Sequence, residues 1–221
     1  LERAKSINGP VMVHMYTQKG KGYAFAEENP SKYHGIGKFN PANGECESKK
    51  SESVSPSKVF GNKMIELAKT NDKLVAITAA MPDGTGLTEF AKTYPERFYD
   101  VGIAEGHAIT FASGLSKGGM VPVVALYSSF VQRAYDQLVH DGTLQKQKLI
   151  LAVDRAGFVG EDGVTHQGLL DVPLLNSIPD ITIYSPFTYK RMRYDFKNAI
   201  NNAENLTVIR YPRGCEPVIP D

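Results

Sequence analysis

From Val59 onward, short apolar runs of β-branched character alternate with segments of helical period. A chain patterned in this way is restricted to βαβ units, in which helices cover both faces of a parallel sheet. Six runs qualify as strands, over residues 74–80, 98–101, 121–127, 149–153, 181–184 and 206–210. Most are continuously apolar, as strands buried on both faces must be. The expected fold is therefore α/β: a doubly wound, mainly parallel sheet of about six strands.

Helix signals support this reading. Ser55-Pro56 places a proline in the first turn ahead of a stripe of Val59, Phe60, Met64, Ile65 and Leu67 that ends near Asn71. That helix should pack on the sheet. Residues 130–141 repeat apolar positions at Phe130, Ala134 and Leu138 and again at Val131, Tyr135 and Val139, which predicts a helix with a broad buried face. Gly142 weakens its continuation by about 1 kcal/mol relative to alanine, so the helix should end or bend there.

Residues 17–54 keep no period and are rich in glycine, lysine, serine and proline, with a polar tract from Glu45 to Ser57. So long an irregular stretch is rare inside a compact domain and reads as an interdomain linker. The strand-like residues 11–16 before it are expected to close a preceding domain. The absence of an initial methionine suggests a piece of something longer. Residues 55–221 form the domain that follows.

Composition narrows the function. The 221 residues are 42% hydrophobic and 22% charged, near the globular average. With 25 basic and 24 acidic residues, nothing marks a surface for nucleic acid. Cys46 and Cys215 form no CxxC pair or disulfide framework, so a reducing compartment is the default. No run approaches the 18 or so apolar residues of a membrane span, and no signal-peptide pattern opens the chain, so a soluble protein is expected.

In open parallel sheets, ligands bind beyond the carboxyl ends of the strands. Glu105 lies there, in the first turn of the helix after the second strand, where the helix dipole favours a carboxylate by about 0.3–1 kcal/mol. Both an ordinary N-terminal charge and a functional carboxylate fit that position. Glu105 and His107 point to different faces, which argues against a metal pair. The loop 154–168 gathers Asp154, Arg155, Glu161, Asp162 and His166 among glycines, more ionisable groups than solvation of a loop requires. Arg133 and Arg213 each suit a phosphate or carboxylate through a planar fork, although a surface ion pair is the commoner use. Asp83-Gly84-Thr85-Gly86 follows a strand but lacks the third glycine of a dinucleotide fingerprint, and reads as a turn. His14, His34 and His140 show no metal-binding spacing.

Together, Tyr33-His-Gly-Ile-Gly-Lys-Phe39, Asp100-Val-Gly-Ile-Ala-Glu-Gly-His107, Tyr127-Ser-Ser-Phe-Val-Gln-Arg-Ala-Tyr-Asp-Gln137, Asp154-Arg-Ala-Gly157, Gly160-Glu-Asp-Gly-Val-Thr-His-Gln-Gly168 and Arg210-Tyr-Pro-Arg-Gly214 closely resemble the 1-deoxy-D-xylulose-5-phosphate synthase family. The resemblance covers essentially the whole chain but only the middle of the family's polypeptide. It implies that residues 1–16 are the last strand of a diphosphate-binding domain, 17–54 a linker, and 55–221 a pyrimidine-binding domain of the thiamine diphosphate-binding fold.

The implied activity joins pyruvate to D-glyceraldehyde 3-phosphate with loss of CO₂, the first step of non-mevalonate isoprenoid synthesis, using thiamine diphosphate and Mg²⁺. By the same resemblance Glu105 hydrogen-bonds the cofactor's aminopyrimidine, Phe130 stacks on it and Met81 contacts it. Tyr127, Arg133, Arg155, Asp162 and Arg213 meet the substrates, with the arginines toward the phosphate. His34 matches a histidine near the reacting carbons and His166 one of the acceptor and intermediate contacts, and both are expected to be catalytic with Glu105. The family's GDG motif and distant asparagine do not occur in this sequence, so the metal ligands are expected in a preceding domain and no metal residue is assigned. A C-terminal domain, a homodimer and a cytoplasmic or plastid-type location are also implied. Gly106 stands where the family usually carries a glutamine. A pyrimidine-domain subunit of a split transketolase and a non-catalytic α/β module remain the alternatives.

Overall fold

All six apolar runs are strands in the computed structural model, which describes residues 1–46 and 53–216. They are β1 (Leu74–Thr78), β2 (Phe98–Asp100), β3 (Val121–Tyr127), β4 (Ile150–Asp154), β5 (Thr182–Tyr184) and β6 (Thr207–Arg210). The sheet is parallel throughout, in the order β2-β1-β3-β4-β6-β5. Chain direction across the sheet reverses between β1 and β3, because β1 leads outward to β2 while β3 leads the other way to β4. That reversal opens a crevice at the carboxyl ends.

Alternation along each strand fills two cores. Ala76, Val123, Ala125, Ile150 and Ala152 face one side, while Ile77, Val124, Leu126, Leu151 and Val153 face the other, all of them buried. Helices α3 (Pro56–Ala68), α4 (Thr88–Thr93) and α9 (Tyr189–Asn202) cover the first side with Phe60, Met64, Phe90, Met192 and Phe196. Helix α5 (Glu105–Lys117) and the segment from Ser128 to Thr143 cover the second with Ala108, Ile109, Ala112, Val131, Ala134 and Leu138. A short α8 (Asp171–Leu175) precedes β5. Ser55 caps α3 through its hydroxyl, which accepts from Lys58 N at 3.3 Å, and Thr188 caps α9 by accepting from Arg191 N.

The helix expected over 130–141 is not a single α-helix. It breaks into α6 (Ser128–Val131), a 3₁₀ turn (Gln132–Ala134), α7 (Tyr135–Gln137) and a π-helical stretch (Leu138–Thr143). Val139 O takes both the Thr143 hydroxyl at 3.0 Å and Leu144 N, five residues on, also at 3.0 Å. A side-chain donor competing for a helical carbonyl widens the turn, and Gly142 sits inside it rather than ending it. Tyr135 consequently points outward to Ser177 Oγ instead of joining the buried face.

The described residues fall into two compact units, Leu1–Glu52 and Ser53–Asp221. In the first, α1 (Glu2–Lys5) is a single turn. The strand expected over residues 11–16 does not form, because a strand needs a neighbour for its N–H and C=O groups and no described residue pairs with it. Residues 17–46 are less irregular than their composition suggests. Helix α2 (Ala24–Glu28) and a Phe39–Cys46 bridge frame a cluster in which the rings of Tyr23, Phe25, Tyr33 and Phe39 lie 5.6–5.8 Å apart. The expected linker's residues 47–52 and the domain's last residues, 217–221, lie outside the described residues.

Phe60 is fully buried, 4.8 Å from the Phe196 ring and 5.9 Å from that of Tyr211. Phe60→Ala should therefore cost about 3–5 kcal/mol of stability in urea unfolding; a loss under about 1 kcal/mol would contradict this packing.

Candidate active site

The residues at the carboxyl edge follow from how each strand ends. After β2, Asp100 Oδ1 accepts from Ala80 N at 2.7 Å and from Gly102 N at 3.0 Å, tying the loops after β1 and β2 together. Gly102 turns with φ +71°, and the chain enters α5 at Glu105. Glu105 is 3% exposed, and its Oε1 accepts from Arg133 Nη1 at 2.6 Å. The Arg133 side chain is half exposed and lies over the Phe130 ring, 4.6 Å from its centroid.

From Phe130 the contacts continue along the edge. Its ring stacks on Tyr127 at 5.6 Å and 16°, and Arg155 lies over the other ring of that pair, 3.9 Å from the Tyr127 centroid. His166 meets Phe130 edge-on at 5.4 Å. Arg155 Nε faces Asp162 Oδ2 at 3.7 Å, and Arg213 Nη1 bonds Asp162 Oδ1. One ladder, a pair of stacked rings between two cations, thus runs from a buried carboxylate, Glu105, to a second carboxylate, Asp162, held between two guanidinium groups. Each cation–ring step contributes about 0.5–2 kcal/mol, more where water is excluded.

β3 and β4 pair Tyr127 with Asp154, which sets this level of the ladder. Asp154 is fully buried: Oδ1 accepts from Arg155 N at 2.8 Å and Arg155 Nη1 at 2.9 Å, while Oδ2 accepts from Ser57 Oγ at 2.7 Å. Burial pushes its carboxyl above the ordinary carboxylate range, against the opposing pull of Arg155 and the Ser57 hydrogen bond. Burial likewise raises the Tyr127 phenol, with Arg155 opposing, and raises that of Tyr211 well above its usual value. Tyr211 Oη is buried with no hydrogen-bond partner among the described residues. Arg155 holds φ +57°, a left-handed backbone that costs an arginine of order 1–3 kcal/mol.

The structure brings together Glu105, Phe130, Arg133, Tyr127, Arg155, Asp162, His166 and Arg213. Met81 is half-buried against the core beneath α5, and His34 is exposed on a turn of the other compact unit. Ser57, Gly84 and Gln137 belong to the site region without a clear signal in the sequence. Gly84, in the loop read as a plain turn, gives its carbonyl to Arg155 Nη1 at 2.6 Å. A Cβ added at Gly106 would lie 3.0 Å from Gln137 Oε1 and 3.2 Å from its Cδ, so Gln137 fills the room that a side chain at 106 would take.

The chain is similar to known proteins. Residues 52–217 match the family described as transketolase, pyrimidine binding domain. The 1-deoxy-D-xylulose-5-phosphate synthase of Clostridium acetobutylicum is 53% identical over 214 residues, 97% of this chain and 34% of that protein. A second, 1-deoxy-D-xylulose-5-phosphate synthase 1 of Geobacter sulfurreducens, is 50% identical over 219 residues, 99% of this chain and 34% of its own. The chain spans about a third of the length of these curated relatives. Among solved structures, a split-gene transketolase described as an inactive β4 tetramer superposes with a TM-score of 0.66 at 28% identity, covering 76% of this chain and 54% of that one. The transketolase of Leishmania mexicana shares the fold, with a TM-score of 0.66 at 20% identity over 77% of this chain and 27% of its own.

The ladder's packing makes a direct prediction at Gly84, where an added Cβ would sit 1.7 Å from Tyr127 Oη and 2.8 Å from its Cζ. Gly84→Ala should destabilise the chain by about 1–3 kcal/mol in thermal unfolding. Tyr127→Phe made in that background should return part of the loss, since the hydroxyl is the nearest atom; additive losses in the double variant would contradict the contact.

Proposed function

The chain belongs to the transketolase pyrimidine-binding domain family, and from that premise we propose that it is the pyrimidine-binding part of a thiamine diphosphate-dependent synthase. The reaction is condensation of pyruvate with D-glyceraldehyde 3-phosphate to 1-deoxy-D-xylulose 5-phosphate with loss of CO₂. The observation that carries this reading is the ladder itself: a buried carboxylate beside an aromatic face at one end, two converging arginines at the other.

The residues fit the cofactor's aminopyrimidine on their own chemistry. Arg133, a planar cationic donor, lies over Phe130 while bonding Glu105, and a flat heterocycle that took its place would meet the same ring and the same carboxylate. Glu105 would hold that ring's nitrogen, and Phe130 would stack on it. Bound thiamine diphosphate supplies the nucleophile and electron sink for the loss of CO₂ from pyruvate. At the far end, Arg155 and Arg213 share one carboxylate, and a phosphate presents the same bidentate oxygens that Asp162 now offers. Tyr127 and His166, which both touch the Phe130 ring, would bind and orient the reacting carbons and hold a proton at the new alcohol.

His34 and Met81 rest on the family resemblance alone. We assign Mg²⁺ and the cofactor's diphosphate to a domain other than the pyrimidine-binding one, and a homodimer and a cytoplasmic location belong to the same reading. The 221-residue chain by itself is expected to be inactive, with one side of the cofactor cleft only. A subunit of a split transketolase is the second reading, but the higher identity to the synthases favours the first.

Two variants of the full-length enzyme separate the ends of the ladder. Glu105→Ala should depress kcat both for pyruvate decarboxylation and for the complete reaction. Arg213→Ala should lower kcat/KM for glyceraldehyde 3-phosphate by about 10- to 150-fold, the equivalent of a charge-assisted contact of about 1.5–3 kcal/mol, and affect unphosphorylated glyceraldehyde much less. Equal damage to both acceptors would return Arg213 to a structural role; near-normal decarboxylation in Glu105→Ala would sink the thiamine assignment.

A further inference from the structure

We infer that Asp154 is a positioning residue for acceptor specificity, acting through Arg155 and buttressed by Ser57. The inference rests on the proposed role of Arg155 toward the acceptor phosphate and adds what aims that arginine.

Three observations carry it. First, a single oxygen, Asp154 Oδ1, accepts from both the backbone N–H and the Nη1 of Arg155. A carboxylate that merely neutralised a buried cation would need only the side-chain bond; holding both ends of one residue fixes the direction of the guanidinium as well as its charge. Second, the backbone of Arg155 is itself constrained. Its φ is +57°, Ala156 N donates to Tyr211 O at 3.0 Å, and Gly157 and Gly168 exchange a pair of bonds at 2.7 and 2.8 Å. A Cβ at Gly168 would come within 2.1 Å of Arg155 O, so glycine alone permits this closure. Third, the other oxygen of Asp154 reaches Ser57 on α3, 97 residues earlier in the chain. Ser57 O also lies 2.2 Å from where a Cβ on Gly86 would stand, in the turn whose Gly84 carbonyl takes Arg155 Nη1.

The first turn of α3, the end of β4 and the loop after β1 therefore converge on one guanidinium. Two of its nitrogens are used differently. Nη1 is spent on protein acceptors, Gly84 O and Asp154 Oδ1, while Nε faces Asp162 without a hydrogen bond of its own. The anchored side sets the direction of the edge that Asp162 now covers, and an acceptor phosphate taking the place of that carboxylate would meet the guanidinium there.

The test uses full-length enzyme variants Asp154→Asn, Ser57→Ala and Arg155→Ala, with glyceraldehyde 3-phosphate and unphosphorylated glyceraldehyde as acceptors. Asp154→Asn keeps the shape but weakens the hold on the cation. It should lower the ratio of kcat/KM for the phosphorylated to the unphosphorylated acceptor by about tenfold, mostly through KM, with pyruvate decarboxylation changed less than about twofold. Ser57→Ala should move the ratio in the same direction by a smaller factor, and it carries the test should the buried substitution prevent folding. A folded Asp154→Asn with reduced thermal stability and an unchanged ratio, alongside an Arg155→Ala that lowers it, would make Asp154 purely structural and overturn the inference. An unchanged ratio in Arg155→Ala itself would overturn the phosphate reading on which the inference rests.

Discussion

A carboxylate sealed from water at the end of a central strand is costly, since desolvation of an ion is recovered only where donors reach every lone pair that faces inward. Asp154 is such a group, and the elements around it are arranged as its donors. Ser57 arrives from the first turn of α3, and Arg155 folds its own backbone and side chain back onto the same carboxylate. The left-handed backbone of Arg155 is sustained by this closure. Arg155 then lies over Tyr127, Tyr127 on Phe130, and Phe130 under Arg133, which reaches Glu105. Each contact presents the next residue's flat face or charge in a fixed direction, so the edge of the sheet is ordered as a unit.

This ordering suits transfer between two bound partners. Glu105 is buried beside an aromatic ring, where on the proposed reading a heterocycle would lose water and gain stacking. Asp162 sits between two cations, where on the proposed reading a phosphate would exchange with a carboxylate already present. The reversal of chain direction between β1 and β3 places the residues after four different strands along one crevice.

Much of this is legible in the sequence because strands buried on both faces write themselves as apolar runs. Their ends slipped by only a residue or two, as at β1, where Ala80 turns with φ +60°. The helical run after β3 was not legible, since a π-turn driven by the Thr143 hydroxyl leaves no mark in a 3.6-residue period. Residues 11–16 have the alternation of a strand, yet pairing depends on a neighbour that periodicity does not specify. In the site, Glu105 and Arg155 stand out as charges at strand ends. Ser57 does not, because its partner is 97 residues away, and Gly84 reads as a turn because its value lies in the Cβ it lacks. Gly106 reads as a departure from its family until Gln137 is seen filling the space beside it.

On the proposed function, the cofactor's pyrimidine rests on the ladder at Glu105 and Phe130. Amide hydrogen exchange of the full-length enzyme, with and without thiamine diphosphate, tests it most directly. Within this chain the account predicts added protection centred on the first turn of α5 and on residues 127–134, with the β5 edge unchanged. Protection absent from both segments while the cofactor is demonstrably bound would contradict it.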